Sequence, residues 1–201
     1  MSSRRIRSFV LCVGFLLCAA VGAAAQDRAG EFSLQTSEGA GAPPFAAGFA
    51  STRWQLDAGY QFNEINIRGA FAPFSTSGVN ASITRYFSRV LGIEGEAGIG
   101  FGAAAPGAGT WSIFVGVGPH FALRTNRRFE PWVHGLLGVE HFSFGKLPFP
   151  LTTTAWIAGG GLDYRFHSGW VWRAEADYLG MHFGNAYQRN LQIVGGVVWN
   201  F

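Results

Sequence analysis

The stretch Gln188-Arg189-Asn190-Leu191-Gln192-Ile193-Val194-Gly195-Gly196-Val197-Val198-Trp199-Asn200-Phe201 reads as one amphipathic strand. Taken alternately, it puts Arg189, Leu191, Ile193, Gly195, Val197, Trp199 and Phe201 on one face, which is largely apolar. Gln188, Asn190, Gln192, Val194, Gly196, Val198 and Asn200 share the other, which is mostly polar or small. Successive side chains of a strand point to opposite faces, so this period of two marks a strand lying between an apolar and a polar surrounding. It is also unusually long, and it ends on two aromatic residues spaced two apart.

Working back toward the N-terminus, the same alternation recurs seven times. Strand one runs from Trp54 to Phe62, with Trp54, Leu56, Ala58, Tyr60 and Phe62 on one face and Gln55, Asp57, Gly59 and Gln61 on the other. A loop is expected over Asn63 to Ser77, then strand two near Gly78 to Phe87, where Arg85 interrupts the apolar face close to the strand end. A long arginine side chain at that position can reach back to a polar interface. Strand three covers about Val90 to Phe101, and a loop at Ala103 to Gly109 leads to strand four, which carries Trp111 to Arg124. Strand five is expected over Phe129 to Phe142, six over Thr152 to Phe166, seven over Gly169 to Phe183, and Gln188 to Phe201 is the eighth.

Membrane-crossing strands need about 9–11 residues and ordinary soluble strands run about 5–6. These stretches suit the former. Abundant glycine (29 residues), 15% aromatic residues and only 13% charged residues agree with a β protein whose outside is apolar. After the first 25 residues no continuous apolar run is long enough for a membrane helix, so a membrane form has to be a barrel. An even strand number lets the sheet close with both termini at one end. The expected connections are short after strands two, four and six and mostly longer after one, three, five and seven. The fold expected is therefore all-β, an eight-stranded antiparallel up-and-down transmembrane β-barrel in which Gln188 to Phe201 pairs with Arg53 to Phe62.

Residues 1–25 have the layout of a cleaved signal peptide: Arg4, Arg5 and Arg7, an apolar run from Phe9 to Val21, and small residues Ala23, Ala24 and Ala25. Both cysteines, Cys12 and Cys18, lie in it, which leaves no disulfide, thiolate metal site or cysteine nucleophile beyond residue 25. The net charge of +3 includes the three leader arginines; fifteen basic residues less three leave twelve, against twelve acidic. Nucleic-acid binding is not indicated. Residues 26–52, rich in Gly, Ala and Pro, read as an N-terminal arm, within which Glu31 to Thr36 alternates and could add a short strand; residues 53–201 form the barrel.

The polar face collects Asp57, Glu94, Glu96, His120, Arg124, His134, Glu140, Asp163, Arg165, Arg173, Glu175 and Asp177. Facing one lumen, these groups are expected to form an interior charge network, because unpaired charges there cost several kcal/mol each. Such a network serves either as a plug of ion pairs or as an ion or proton path. None of the five histidines shows an H-x-H or H-x-x-x-H spacing, so neither a metal nor any other cofactor is expected. No catalytic residue is assigned. Trp54, Trp111, Trp156, Trp170, Trp172, Tyr178, Trp199 and Phe201 fall near strand ends on the apolar face, as aromatic girdles do at the two membrane interfaces.

The stretches Trp54 to Phe62, Val79-Asn80-Ala81-Ser82-Ile83-Thr84, Phe129-Glu130-Pro131-Trp132-Val133-His134, Gly159-Gly160-Gly161-Leu162-Asp163 and Ala176-Asp177-Tyr178 together resemble small outer-membrane β-barrel proteins of the OmpA/OmpX type. The resemblance covers about Arg53 to Phe201. It implies an outer membrane of the Gram-negative type, outer-membrane lipids and lipopolysaccharide as surroundings, and a monomer. It also implies recognition of Val197, Trp199 and Phe201 by the outer-membrane insertion machinery, and a structural, surface-interaction or very limited permeation role. Two alternatives stay open. His141-Phe142-Ser143 is similar to the His-x-Ser pair of barrel lipid A deacylases, although no acid occurs between Glu140 and Asp163. A soluble lipocalin-like ligand-binding barrel would turn the aromatics inward and Glu94, Glu96, Arg173 and Glu175 outward.

Overall fold

The computed structural model describes residues 53–66, 73–105, 108–124, 128–145, 151–167, 169–183 and 186–201. The leader, the arm and its Glu31 to Thr36 segment lie outside the described residues. Eight strands follow one another: β1 (Trp54–Ile65), β2 (Phe74–Tyr86), β3 (Leu91–Ala105), β4 (Ala108–Ala122), β5 (Phe129–Phe144), β6 (Leu151–His167), β7 (Trp170–Phe183) and β8 (Ala186–Asn200). Each pairs antiparallel with its sequence neighbours, and β1 pairs with β8 to close the barrel. The closing register runs from Gln55↔Asn200 to Glu64↔Leu191, and Trp54 and Phe201 exchange both backbone hydrogen bonds at 3.1 and 3.0 Å. Closure leaves no row of unpaired N–H and C=O groups along an edge.

Two expectations are corrected. Asn63–Ile65 and Phe74–Ser77, read as loop, belong to the β1–β2 ladder, with Ile65↔Phe74 as its last pair. Likewise β3 and β4 continue through Ala103 and Gly109 to Ala105↔Ala108. Strand pairing overrides weak local propensity at Asn63, Ser75 and the Ala-Gly run, because every residue added to an antiparallel pair satisfies further backbone groups. The short-long rhythm of connections is consequently lost: 106–107 and 184–185 are as short as 168–169, while 123–128 matches 145–150.

Pro119 sits inside β4 and cannot donate to β5. The pairs either side, Val117↔Leu137 and His120↔His134, keep one register across that gap. The connection at 168–169 turns on Gly169, whose φ of 83° is closed to most other residues. Outward positions carry the β-branched and aromatic residues that favour strands, among them Val79, Ile93, Val117, Val133, Val139 and Ile193.

Inside, the barrel is layered. At the end that holds the β1–β2 and β5–β6 connections, Ile65, Phe74, Phe114, Leu136, Phe142, Phe144, Ile157, Leu179 and Met181 form an apolar cluster. Below it the interior is polar, down to Tyr86, Ala122 and Trp132 near the termini. The closing register predicts a cross-link. With Cys12 and Cys18 replaced by serine, Ala58→Cys with Val197→Cys should oxidise to a disulfide in the folded protein. Ala58→Cys with Ile193→Cys, roughly 14 Å out of register at about 3.4 Å per residue, should not; equal cross-linking of both pairs would contradict the register.

Candidate functional site

The polar lumen is the candidate site, and strand parity builds it. All twelve residues expected on the polar face, Asp57, Glu94, Glu96, His120, Arg124, His134, Glu140, Asp163, Arg165, Arg173, Glu175 and Asp177, are buried inside the barrel. Glu130, which the sequence reading passed over, joins them fully buried. Its parity with His134 was the available signal; its position beside Phe129 and Pro131 obscured it.

Near the termini, Arg173 and Asp163 pair bidentately, with Nε and Nη2 each donating at 2.9 Å. A fork-to-fork pair of this kind is strong and directional. Trp132 Nε1 donates to the same Asp163 Oδ1 at 2.9 Å, and the Arg173 guanidinium lies 4.4 Å from the Trp132 ring. Asp57 Oδ2 stands 4.0 Å from Arg173 Nε. Beside this group Arg124 Nε faces Glu130 Oε1 at 3.4 Å and covers the Tyr86 ring at 4.2 Å. Tyr86 Oη donates to Gln55 Oε1, whose amide donates to Asn200 Oδ1, tying β2, β1 and β8 together at the seam.

At mid-height the chemistry changes. His120 Nδ1 and His134 Nδ1 lie 2.8 and 2.9 Å from the same oxygen, Glu94 Oε2. His134 Nε2 lies 3.2 Å from Asp177 Oδ1 and 3.9 Å from Glu175 Oε1. The ladder explains this convergence: His120, His134, Gly159 and Asp177 are successive cross-strand partners from β4 to β7. Gly159 leaves the gap that His134 spans; a Cβ there would meet Asp177 Oδ1 at 1.9 Å. Glu96 accepts from Gln192 Nε2 at 3.4 Å, and Glu140 Oε2 has no hydrogen-bond partner.

On the outside, Trp54, Trp111, Trp156, Trp170, Trp172, Tyr178, Trp199 and Phe201 are exposed or half-buried. They contact one another and their neighbours in two groups. Trp170, Trp199 and Phe201, with Phe166 and Trp172, ring the end that holds the termini. Arg85 reaches the Trp54 ring at 5.1 Å at the same end. Trp111 meets His141 and Trp156 meets Tyr178 toward the other end. Between them the outer face is apolar, while Glu94, Glu96, Arg173 and Glu175 are inside. These faces are the reverse of those a lipocalin-like barrel requires.

His141 and Ser143 share the outward face of β5. His141 Nδ1 lies 2.7 Å from Thr152 Oγ1, not from an acid. Among the described acidic residues only Glu64 points outward, and it sits on β1 between Ser75 and Leu191, with no place in the β4–β5–β6 ladder around His141. Of the described residues, then, none supplies the carboxylate of a triad there.

No protein-family model matches the chain, and no curated protein is similar to it in sequence. Solved structures are similar in fold. Neisserial surface protein A matches with a TM-score of 0.64 at 14% identity over 74% of this chain and 97% of its own. Ail, the attachment invasion locus protein of Yersinia pestis, gives 0.55 at 18% identity over 75% and 99%. The outer membrane protein OprG from Pseudomonas aeruginosa gives 0.53 at 14% over 77% and 98%. The chain has the fold of small outer-membrane β-barrels.

The ion-pair layer yields a prediction. Arg173→Ala strands Asp163 and Asp57 in the interior and should lower unfolding free energy by about 3–5 kcal/mol, measured by urea unfolding in detergent micelles. Arg173→Met combined with Asp163→Asn should recover most of that loss.

Proposed function

We propose that this chain is an integral outer-membrane protein with a sealed barrel, in a structural, surface-interaction or very limited permeation role. The observation that carries the reading is the outer surface. Leu56, Ala58, Val79, Ile93, Val117, Val133, Leu137, Leu162, Ala176 and Ile193 make an outward band with aromatic groups at both ends. The outward charges among the described strand residues, Glu64, Arg85 and Arg189, sit near strand ends. An Arg or Lys at the mid-plane of a barrel's lipid face costs about 2–4 kcal/mol, which such an arrangement avoids.

The lumen supports sealing over conduction. Eight strands leave an interior just wide enough for side chains, and here the ring of Phe142 stacks on Phe144 while Phe74 meets Phe144 edge-on above the charged layers. Outer-membrane lipid and lipopolysaccharide are the partners this outer face suits. In this reading Val197 and Trp199 on β8, with Phe201 just after it, are the signal to the insertion machinery, residues 1–25 the export leader, and the barrel a monomer without catalytic activity. The fold shared with OprG, described as an outer membrane protein, supports the location.

The purified chain should fold only with detergent or lipid and shift its gel mobility on heating; a stable water-soluble monomer would contradict the reading. In planar bilayers the folded protein should give no conductance or only small irregular events. Large steady currents would overturn the sealed lumen.

A further inference from the structure

Among the described residues, the barrel encloses eight carboxylates: Asp57, Glu94, Glu96, Glu130, Glu140, Asp163, Glu175 and Asp177. Against them stand three arginines, Arg124, Arg165 and Arg173, and two histidines. Arg173 is committed to Asp163 and Asp57, and Arg124 faces Glu130. At mid-height, His120 and His134 are the groups in direct ion-pair contact with Glu94, Glu175 and Asp177, while Arg173, whose charge also reaches Glu94 and Glu175, is shared with Asp163 and Asp57. Buried charges without compensation cost several kcal/mol each, so this layer has to hold protons on some of its carboxylates or take up additional positive charge.

The side chains there are arranged as ligands are. Glu94, His120 and His134 bring one ligand atom each within 4.8 Å of one another, from three different strands. All three are buried. His134 has Asp177 against its second ring nitrogen. A carboxylate in that position fixes the tautomer that leaves the first nitrogen free to ligate, the usual support of a metal-binding histidine. If Nε2–H is given to Asp177 in a neutral ring, the Nδ1 lone pair points at Glu94 Oε2, 2.9 Å away. Two lone pairs at that distance require positive charge between them, supplied either by a proton, which makes the ring an imidazolium, or by a metal ion. Glu175 Oε1, buried and without a hydrogen-bond partner, stands 3.9 Å from His134 Nε2, on the Asp177 side of the ring. The overlapping set Glu96, His134 and Glu175 also converges within 4.8 Å.

We propose that Glu94, His120 and His134 form a divalent transition-metal site of the zinc type, built into the barrel wall and closed off from solvent. Two imidazoles and one carboxylate are a zinc donor set, with bonds of about 2.0–2.2 Å. Tetrahedral donors then lie about 3.3 Å apart, so the 2.8 and 2.9 Å separations open by about half an ångström when the ion enters. Carboxylates and imidazoles also accept neighbouring first-row metals, and the test measures which is held. Asp177 is a positioning residue, acting through His134. A bound ion would clip the neighbouring strands β3, β4 and β5 together on their lumen side and add two positive charges to the layer.

The test uses the full chain, refolded in detergent with Co2+ present because the site is buried, with folding checked by heat-shifted mobility. One equivalent of Co2+ should remain after gel filtration, give the visible absorption of a tetrahedral ion, and be displaced by Zn2+. The protein has five histidines, and the other three are His141, His167 and His182. The triple variant His141→Ala, His167→Ala, His182→Ala should keep the band. His120→Gln and Glu94→Gln should abolish it, and Asp177→Asn should weaken binding about 10–100-fold. The proposal is overturned if folded wild type retains no metal, if the triple surface variant loses it, or if folded His120→Gln keeps it. Should His120→Gln not fold, wild type and the surface triple variant still decide.

Discussion

Everything in this molecule depends on the hydrogen-bonded seam between β1 and β8. Hydrocarbon offers no partner to a backbone N–H or C=O, and each one left open there costs several kcal/mol. Pairing Trp54 with Phe201 and continuing to Glu64↔Leu191 removes both edges at once. Once the sheet is closed, parity has only two destinations: a residue faces out to the surroundings or in to its fellows. The seam is reinforced from inside by Tyr86, Gln55 and Asn200, which hydrogen-bond across it from three strands.

Closure also sets what the lumen can be. With eight strands the interior holds side chains and little else, so groups that meet there must satisfy each other. The apolar end does so by packing Phe74, Phe142 and Phe144. The end near the termini does so with the bidentate Arg173–Asp163 pair, backed by Trp132. Between them, Glu94, His120, His134 and Asp177 are held close by register, and the bare backbone of Gly159 makes their approach possible. That layer holds more carboxyl groups than basic side chains. An ion there would be a structural element of the barrel, not a cargo in transit, because both ends of the lumen are filled.

Strand number, parity and the β1–β8 closure were legible in the sequence, because one-sided burial makes a one-residue slip turn every side chain to the wrong face. Asp57, Glu94, Arg173 and the rest of the polar set follow from counting by twos. Strand ends were less legible: Asn63–Ile65 and Phe74–Ser77 lack the local propensity of strands, and only the partner across the ladder holds them. Phe142, Leu136 and Met181 face inward although apolar, so the rule that apolar residues face out fails at the capped end. The His120–Glu94–His134 group was beyond reach, since His120 and His134 lie 26 and 40 residues from Glu94 along the chain. No linear spacing encodes a cross-strand neighbour.

The central claim is that the outward face of this closed sheet meets lipid. It is tested most directly by spin labels placed one at a time from Val133 to Val139 in liposomes. The account predicts a period of two: Val133, Gly135, Leu137 and Val139 accessible to oxygen dissolved in the bilayer and shielded from a water-soluble nickel complex, with His134, Leu136 and Gly138 shielded from both. Nickel-complex accessibility at Val133 and Leu137 would contradict it.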